Sequence, residues 1–108
     1  MREIQASVLT DAIAKLCVEA NCVLPGDVKR RIEDARRNEP WETAQGILDK
    51  IIENYGIAEA NVMPICQDTG VCCVFLKIGQ DVHVEGDLRE AVDEGVRRGY
   101  RDGYLRKS

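Results

Sequence analysis

Apolar residues recur at three- and four-residue steps through the first half of the chain, then gather into one unbroken run in the second half. Over residues 3–20, Ile4, Val8, Ile13, Leu16, Cys17 and Ala20 share one helical stripe, and Asp11, Lys15 and Glu19 lie opposite. Asn21-Cys22 ends this segment and leads into Leu24-Pro25-Gly26. Asp27 suits an N-cap, where a short side chain accepts from the free amides of the next turn. A second helix is expected to about Asn38, with Val28, Ile32 and Ala35 inward. Glu39-Pro40 breaks it, because a residue before proline avoids the α region. Proline fits the first turn of a helix, so a third helix is expected from Pro40 to about Asn54. Its apolar side is Trp41, Ala44, Ile47, Leu48, Ile51 and Ile52.

The pattern changes after Gly56. Residues 57–70 are rich in Asn, Pro, Gly and Asp and read as a loop. Val71-Cys72-Cys73-Val74-Phe75-Leu76-Lys77-Ile78 is apolar, β-branched and bounded by glycines, which predicts a buried strand. Gly79-Gln80-Asp81 then forms a turn, and Val82-His83-Val84 a short second strand in a hairpin. Asp87 with Glu90 three residues on resembles a capping box. It opens a closing helix over about 88–101 that buries Leu88, Ala91, Val92 and Val96. The fold class expected is α+β in a single domain over residues 1–108. A helical layer occupies 1–55, and loop, strands and closing helix occupy 56–108.

Composition narrows the function classes. The chain has 108 residues and a formal net charge of −4, which lacks the basic excess of a nucleic-acid surface. Lys29-Arg30-Arg31 runs into Glu33-Asp34 and reads as a solvated helix face. No segment approaches the roughly 20 apolar residues needed to span a bilayer. The first dozen residues mix acidic and basic side chains, unlike a signal peptide, so a cytoplasmic location is expected.

Five cysteines stand at positions 17, 22, 66, 72 and 73. Their odd number and the absence of secretory signals argue against a disulfide framework. Zinc-type spacing is absent, and a local cluster site built from Cys66, Cys72 and Cys73 is disfavoured, because neighbours on a strand diverge to opposite faces. Cys17 falls on the apolar stripe of its helix and reads as a small core residue. His83, the only histidine, alternates with Val82 and Val84 and reads as a solvated strand position.

The chemistry concentrates in Cys66-Gln67-Asp68-Thr69-Gly70. Pro64 stiffens the approach, and Gly70 allows backbone geometries closed to other residues. A loop held this way can present a thiolate, an amide and a carboxylate with little entropy left to lose. The same residues also suit an ordinary turn with an Asx hydrogen bond.

Met63-Pro64-Ile65-Cys66-Gln67-Asp68-Thr69-Gly70, continued by Val74-Phe75-Leu76-Lys77-Ile78-Gly79-Gln80, resembles the N-terminal region of class I fumarases and the alpha subunit of L-tartrate dehydratases. Ala91 to Tyr100 looks like the helix that follows in that family, and Leu24-Pro25 and Asp27-Val28 match in layout. The resemblance implies a hydro-lyase with a [4Fe–4S] cluster held by three cysteines and one iron open to substrate. Cys66 matches the first cluster ligand. Gln67 matches a contact to a substrate carboxylate, and Asp68 a substrate contact and proton carrier. Cys72 and Cys73 stand where the family carries small or β-branched residues and are expected in the core. Arg97 and Arg98 are expected on a helix surface or subunit contact, with the approach of one of them to the anionic substrate of a complete enzyme as the alternative.

The family's other two cluster cysteines and its substrate-binding arginines are expected beyond Ser108. On this reading the chain is the opening part of a longer polypeptide, inactive by itself and lacking a cluster alone. Its substrate is a small dicarboxylic acid, and its partners are a beta subunit or C-terminal region and further copies of itself. The alternative is a non-catalytic folding or assembly module that docks on a partner subunit.

Overall fold

A computed structural model describes residues 1–106. Its elements, in chain order, are β1 (Arg2–Gln5), α1 (Ala6–Cys22), α2 (Gly26–Asn38), α3 (Glu42–Asn61), β2 (Val82–Glu85) and α4 (Leu88–Asp102). The fold is α+β. The chain forms two compact units, Met1–Glu19 with Gln67–Ser108, and Ala20–Cys66.

The first unit is built from two strand–helix pairs. β1 and β2 run parallel, with Arg2 opposite Val82 and Ile4 opposite Val84. Each strand feeds directly into a helix, β1 into α1 and β2 into α4. Contacts between these helices advance together along both chains, so they also run parallel. Thr10 Oγ1 donates to the Ala91 carbonyl at 2.8 Å. One turn on, a Cβ at Gly95 would lie 2.8 Å from Ile13 Cβ, and a Cβ at Gly99 would lie 2.8 Å from Cys17 Cβ. Small residues at four-residue steps therefore let α4 approach α1 backbone to side chain. Ile13, Cys17 and Leu105 form the buried cluster, with Cys72, Val92, Val96 and Tyr100 packed on it. Asp87 caps α4 by accepting from Glu90 N at 3.0 Å.

The second unit pairs α2 with α3. Tyr55 and Ala58 are buried in α3, and the Tyr55 hydroxyl donates to Glu33 Oε1 at 3.1 Å. Lys29 pairs with Glu59, and Arg36 Nε with Asp49 Oδ1 at 2.6 Å.

Several elements differ from their expected form. α1 begins at Ala6, because Arg2–Gln5 is drawn into the sheet by β2. Ile13 and Cys17 of its predicted stripe are buried, joined by Thr10, whereas Val8, Leu16 and Ala20 are exposed. Pro25, not Asp27, is the N-cap of α2 and makes no side-chain cap; Asp27 Oδ1 accepts only from Val28 N. Ala35 of α2 is exposed. α3 starts after Pro40 and runs through Gly56 to Asn61, with Trp41, Ile47 and Ile51 exposed.

The largest correction concerns residues 71–78. They join no ladder, and β2 pairs with β1 rather than with them. Val71 is 85% and Phe75 93% exposed. A strand requires a neighbour to take its amides and carbonyls, and an apolar run alone does not provide one. Cys73 is accordingly exposed, not in the core, whereas Cys72 is half-buried. Lys77 to Asp81 leads into β2, where His83 is exposed and Val82 and Val84 are partly covered.

Candidate functional site

Cys66 closes the second unit, and the chain before it is pinned on both sides. Val62 ends α3 in the left-handed region, at φ 52°, and turns the chain back. Met63 N donates to the Ala58 carbonyl at 2.9 Å and Ile65 N to the Asn21 carbonyl at 2.8 Å. Asn54 Nδ2 donates to the Ile65 carbonyl at 2.9 Å. Both peptide groups of Ile65 are thus occupied, which fixes where Cys66 emerges. Cys66 is exposed, outside any disulfide, on the rim of an apolar cleft of about 510 Å³. Leu24, Ile47, Ile51, Tyr55 and Ile65 line it.

Gln67, Asp68 and Thr69 follow directly in the chain and belong to the first unit. Asp68 Oδ1 accepts from Gly70 N at 3.1 Å, and Gly70 has φ 66°, so an Asx turn does form here. This local geometry and the candidate site coincide, because the turn aims the carboxylate. Thr69 ties the turn to the end of α4. Its Oγ1 accepts from Arg106 N at 2.8 Å, and its carbonyl accepts from the Tyr100 hydroxyl at 3.4 Å.

That anchoring brings Arg106 to Asp68, with Nη1 3.7 Å from Oδ1. Both side chains are exposed, and such a pair contributes only ~0–1 kcal/mol to stability. Its value is placement. Arg106, Arg97 and Arg101 line a cleft of about 480 Å³ together with Gly70, Cys72 and Tyr100. Arg97 and Arg98 pair with Glu94, and Arg101 Nε with Asp102 Oδ1 at 2.9 Å. The Arg98 hydrogen bond leads in holding the Glu94 carboxyl below its ordinary range. The Arg101 hydrogen bond does the same for Asp102. A cleft with three guanidinium groups suits an anion, and a planar guanidinium binds a carboxylate through two parallel hydrogen bonds.

Arg106 was not legible in the sequence. It lies 38 positions from Asp68, in a segment with no motif of its own, and only the Thr69 contact reveals the link. No three His, Cys, Asp or Glu side chains gather as a metal-binding group among the described residues. Among those residues, no helix is long and apolar enough to cross a membrane. Lys107 and Ser108, part of the segment expected to lead onward, lie outside the described residues.

Comparison with known proteins gives the family. A protein from Methanocaldococcus jannaschii with the provisional name L(+)-tartrate dehydratase subunit alpha is 40% identical over 100 residues, covering 91% of this chain and 35% of its own. A protein from Geobacillus stearothermophilus provisionally named fumarate hydratase class I is 33% identical over 99 residues, covering 91% of this chain and 19% of its own. The anaerobic class I fumarate hydratase of Escherichia coli is 34% identical over 70 residues, 65% of this chain and 13% of that enzyme. The chain thus spans about a third of the first relative and less than a fifth of the other two. The family model described as Fumarate hydratase (Fumerase) matches residues 10–108, and the chain belongs to that family.

Proposed function

We propose that this chain is one part of an iron–sulfur hydro-lyase, which adds water to fumarate or removes it from a related hydroxy dicarboxylic acid in the cytoplasm. The observation that carries the reading is the Asp68–Arg106 pair, held by Thr69 and Gly70 beside an arginine-lined cleft. Arg106 binds one substrate carboxylate through its guanidinium. Gln67 donates its amide to a carboxylate oxygen. Asp68 orients the reacting hydroxyl and carries its proton.

A [4Fe–4S] cluster, when bound, supplies Lewis-acid polarisation at that hydroxyl. The donors present fit one ligand position: Cys66, an exposed thiol at a fixed point of the backbone, is the right chemistry for iron. Cys72 packs on the Cys17 cluster, which takes it out of the expected ligand set. The remaining ligands come from the larger part of the relatives' length, or from a partner subunit, as the name of the Methanocaldococcus relative implies for that protein. By itself the chain is inactive.

Anaerobic treatment with iron and sulfide, followed by assays with fumarate, L-malate and L-tartrate, tests this with and without a polypeptide spanning the rest of the relatives' length. Turnover only with the second polypeptide is the expected result; turnover by the chain alone would refute the division of the site. A second reading, a non-catalytic assembly module docking on a partner or a further copy, draws on the exposed apolar run at 71–78. It predicts binding without turnover in the same experiment.

A further inference from the structure

Cys17 and Cys72 have no place in the chemistry above, yet their sulfurs lie 3.8 Å apart within the first unit. Cys17 is 6% exposed on the inward face of α1, and Cys72 is half-buried two residues beyond Gly70. A disulfide needs about 2.05 Å between sulfurs, so closing this contact requires a shift of roughly 2 Å. Cys72 sits in an irregular segment that can supply it, while Cys17 is fixed by helix and core.

We infer that Cys17 and Cys72 form a reversible disulfide that fastens the Asp68–Gly70 turn to α1 under oxidising conditions. The oxidant is a low-molecular-weight disulfide. The Cys72 thiolate attacks one of its sulfurs and expels one small thiolate, which leaves a mixed disulfide on Cys72. Cys17 then gives up its proton to water and attacks Cys72 Sγ, expelling the second small thiolate. Two protein thiols are oxidised to one S–S bond, and one small disulfide is reduced to two thiols. A dithiol reductant reverses the sequence.

The geometry also sets which cysteines take part. Cys73, adjacent to Cys72 in the chain, and Cys66 are both exposed. Exposed thiols react with the small disulfide directly and take up the mixed disulfide. Burial, with the Cys72 contact, pushes the Cys17 thiol up to about 11, so its attack is slow at neutral pH compared with a solvent thiol. The bond would close across 55 positions of sequence. Cross-links over long loops restrict the unfolded chain most.

The experiment equilibrates the full chain with oxidised and reduced glutathione, quenches with acid, and locates bonds by tandem mass spectrometry. The expected product joins Cys17 to Cys72, with glutathione on Cys66 and Cys73. Oxidised protein should melt several degrees higher than reduced protein and exchange the amides of 68–72 several-fold more slowly. Cys17→Ala and Cys72→Ala should each abolish the melting shift, and circular dichroism of their reduced forms checks that they fold. A Cys72–Cys73 bond, a link between chains, or glutathione remaining on Cys72 would overturn the proposal. Because the test reads bonds and stability, its result is independent of any hydro-lyase activity.

Discussion

The Arg106 guanidinium reaches Asp68 at 3.7 Å only because the Arg106 backbone amide is itself held by Thr69 Oγ1 at 2.8 Å. The carboxylate and guanidinium that the substrate would meet are thus positioned by the residue between Asp68 and Gly70. Asp68→Asn keeps the Gly70 hydrogen bond through its remaining carbonyl oxygen but removes the proton acceptor. In the complete enzyme it should lower kcat by roughly 10²-fold or more, the range of general acid–base assistance. Thr69→Val should instead raise KM, because Arg106 loses its tether. Steady-state kinetics on the two variants separate these effects, and equal losses in kcat would contradict the assignment.

Two sets of glycines in one chain should respond oppositely to alanine. A Cβ at Gly95 or Gly99 would come within 2.8 Å of α1 atoms, including the backbone oxygens of Thr10 and Ala14. Gly95→Ala and Gly99→Ala should each destabilise by about 1–3 kcal/mol through overpacking. Gly46 and Gly56, inside α3, have no heavy atom within 4 Å of the added Cβ. Gly46→Ala and Gly56→Ala should stabilise by about 0.5–1 kcal/mol. Urea denaturation read by far-UV circular dichroism gives both signs.

Thr10 is the one buried polar side chain among the described residues, and its hydroxyl satisfies the Ala91 carbonyl. Thr10→Val keeps the shape and removes the hydrogen bond between the two helices, while the Ala91 carbonyl keeps its place in the α4 ladder, at a cost of about 0.5–1.5 kcal/mol. Thr10→Ser retains the donor and should recover most of it. A loss in Thr10→Ser with none in Thr10→Val would assign the effect to the methyl group rather than the hydrogen bond.

Stability should fall with pH above the ordinary thiol range because of Cys17. Its folded pKa, about 11, lies above the unfolded value near 9. Burial of the neutral thiol therefore contributes fully below pH 9, and the contribution is lost as pH rises toward 11. The unfolded chain binds fewer protons across that window, so the slope is negative. Cys17→Ala should flatten the decline between pH 8.5 and pH ~10.5 relative to the parent, measured by denaturation at each pH under reducing conditions.

Local signals carried much of the fold. The Asp87–Glu90 cap and the amphipathic stretch behind it were readable because a helix start depends on neighbours three residues apart. α2 and α3 were readable from their periodicity, but α3 passes its expected end near Asn54 and continues through Gly56 to Asn61. A single glycine inside a helix costs only about 1 kcal/mol, so Gly56 does not end it. Pairing across the chain left no such mark. Arg2–Gln5 becomes a strand only because Val82–Glu85 lies beside it, and residues 71–78 remain irregular because no strand does. Gly95 and Gly99 were passed over because contact between helices rewards small residues that hydrophobicity ignores. The loop at Cys66-Gln67-Asp68 was visible as a motif; Arg106, its guanidinium partner, depended on a tertiary contact.

Cys66 carries the central claim, and cluster binding by the complete enzyme tests it most directly. The chain, with Cys66 intact or changed to Ala, is reconstituted anaerobically with iron, sulfide and the polypeptide spanning the rest of the relatives' length. Iron and sulfide content, visible absorption and fumarate hydration are then measured. The account predicts a brown, active complex with Cys66 and loss of both cluster and activity in Cys66→Ala. Equal iron, sulfide and turnover in the two proteins would contradict it.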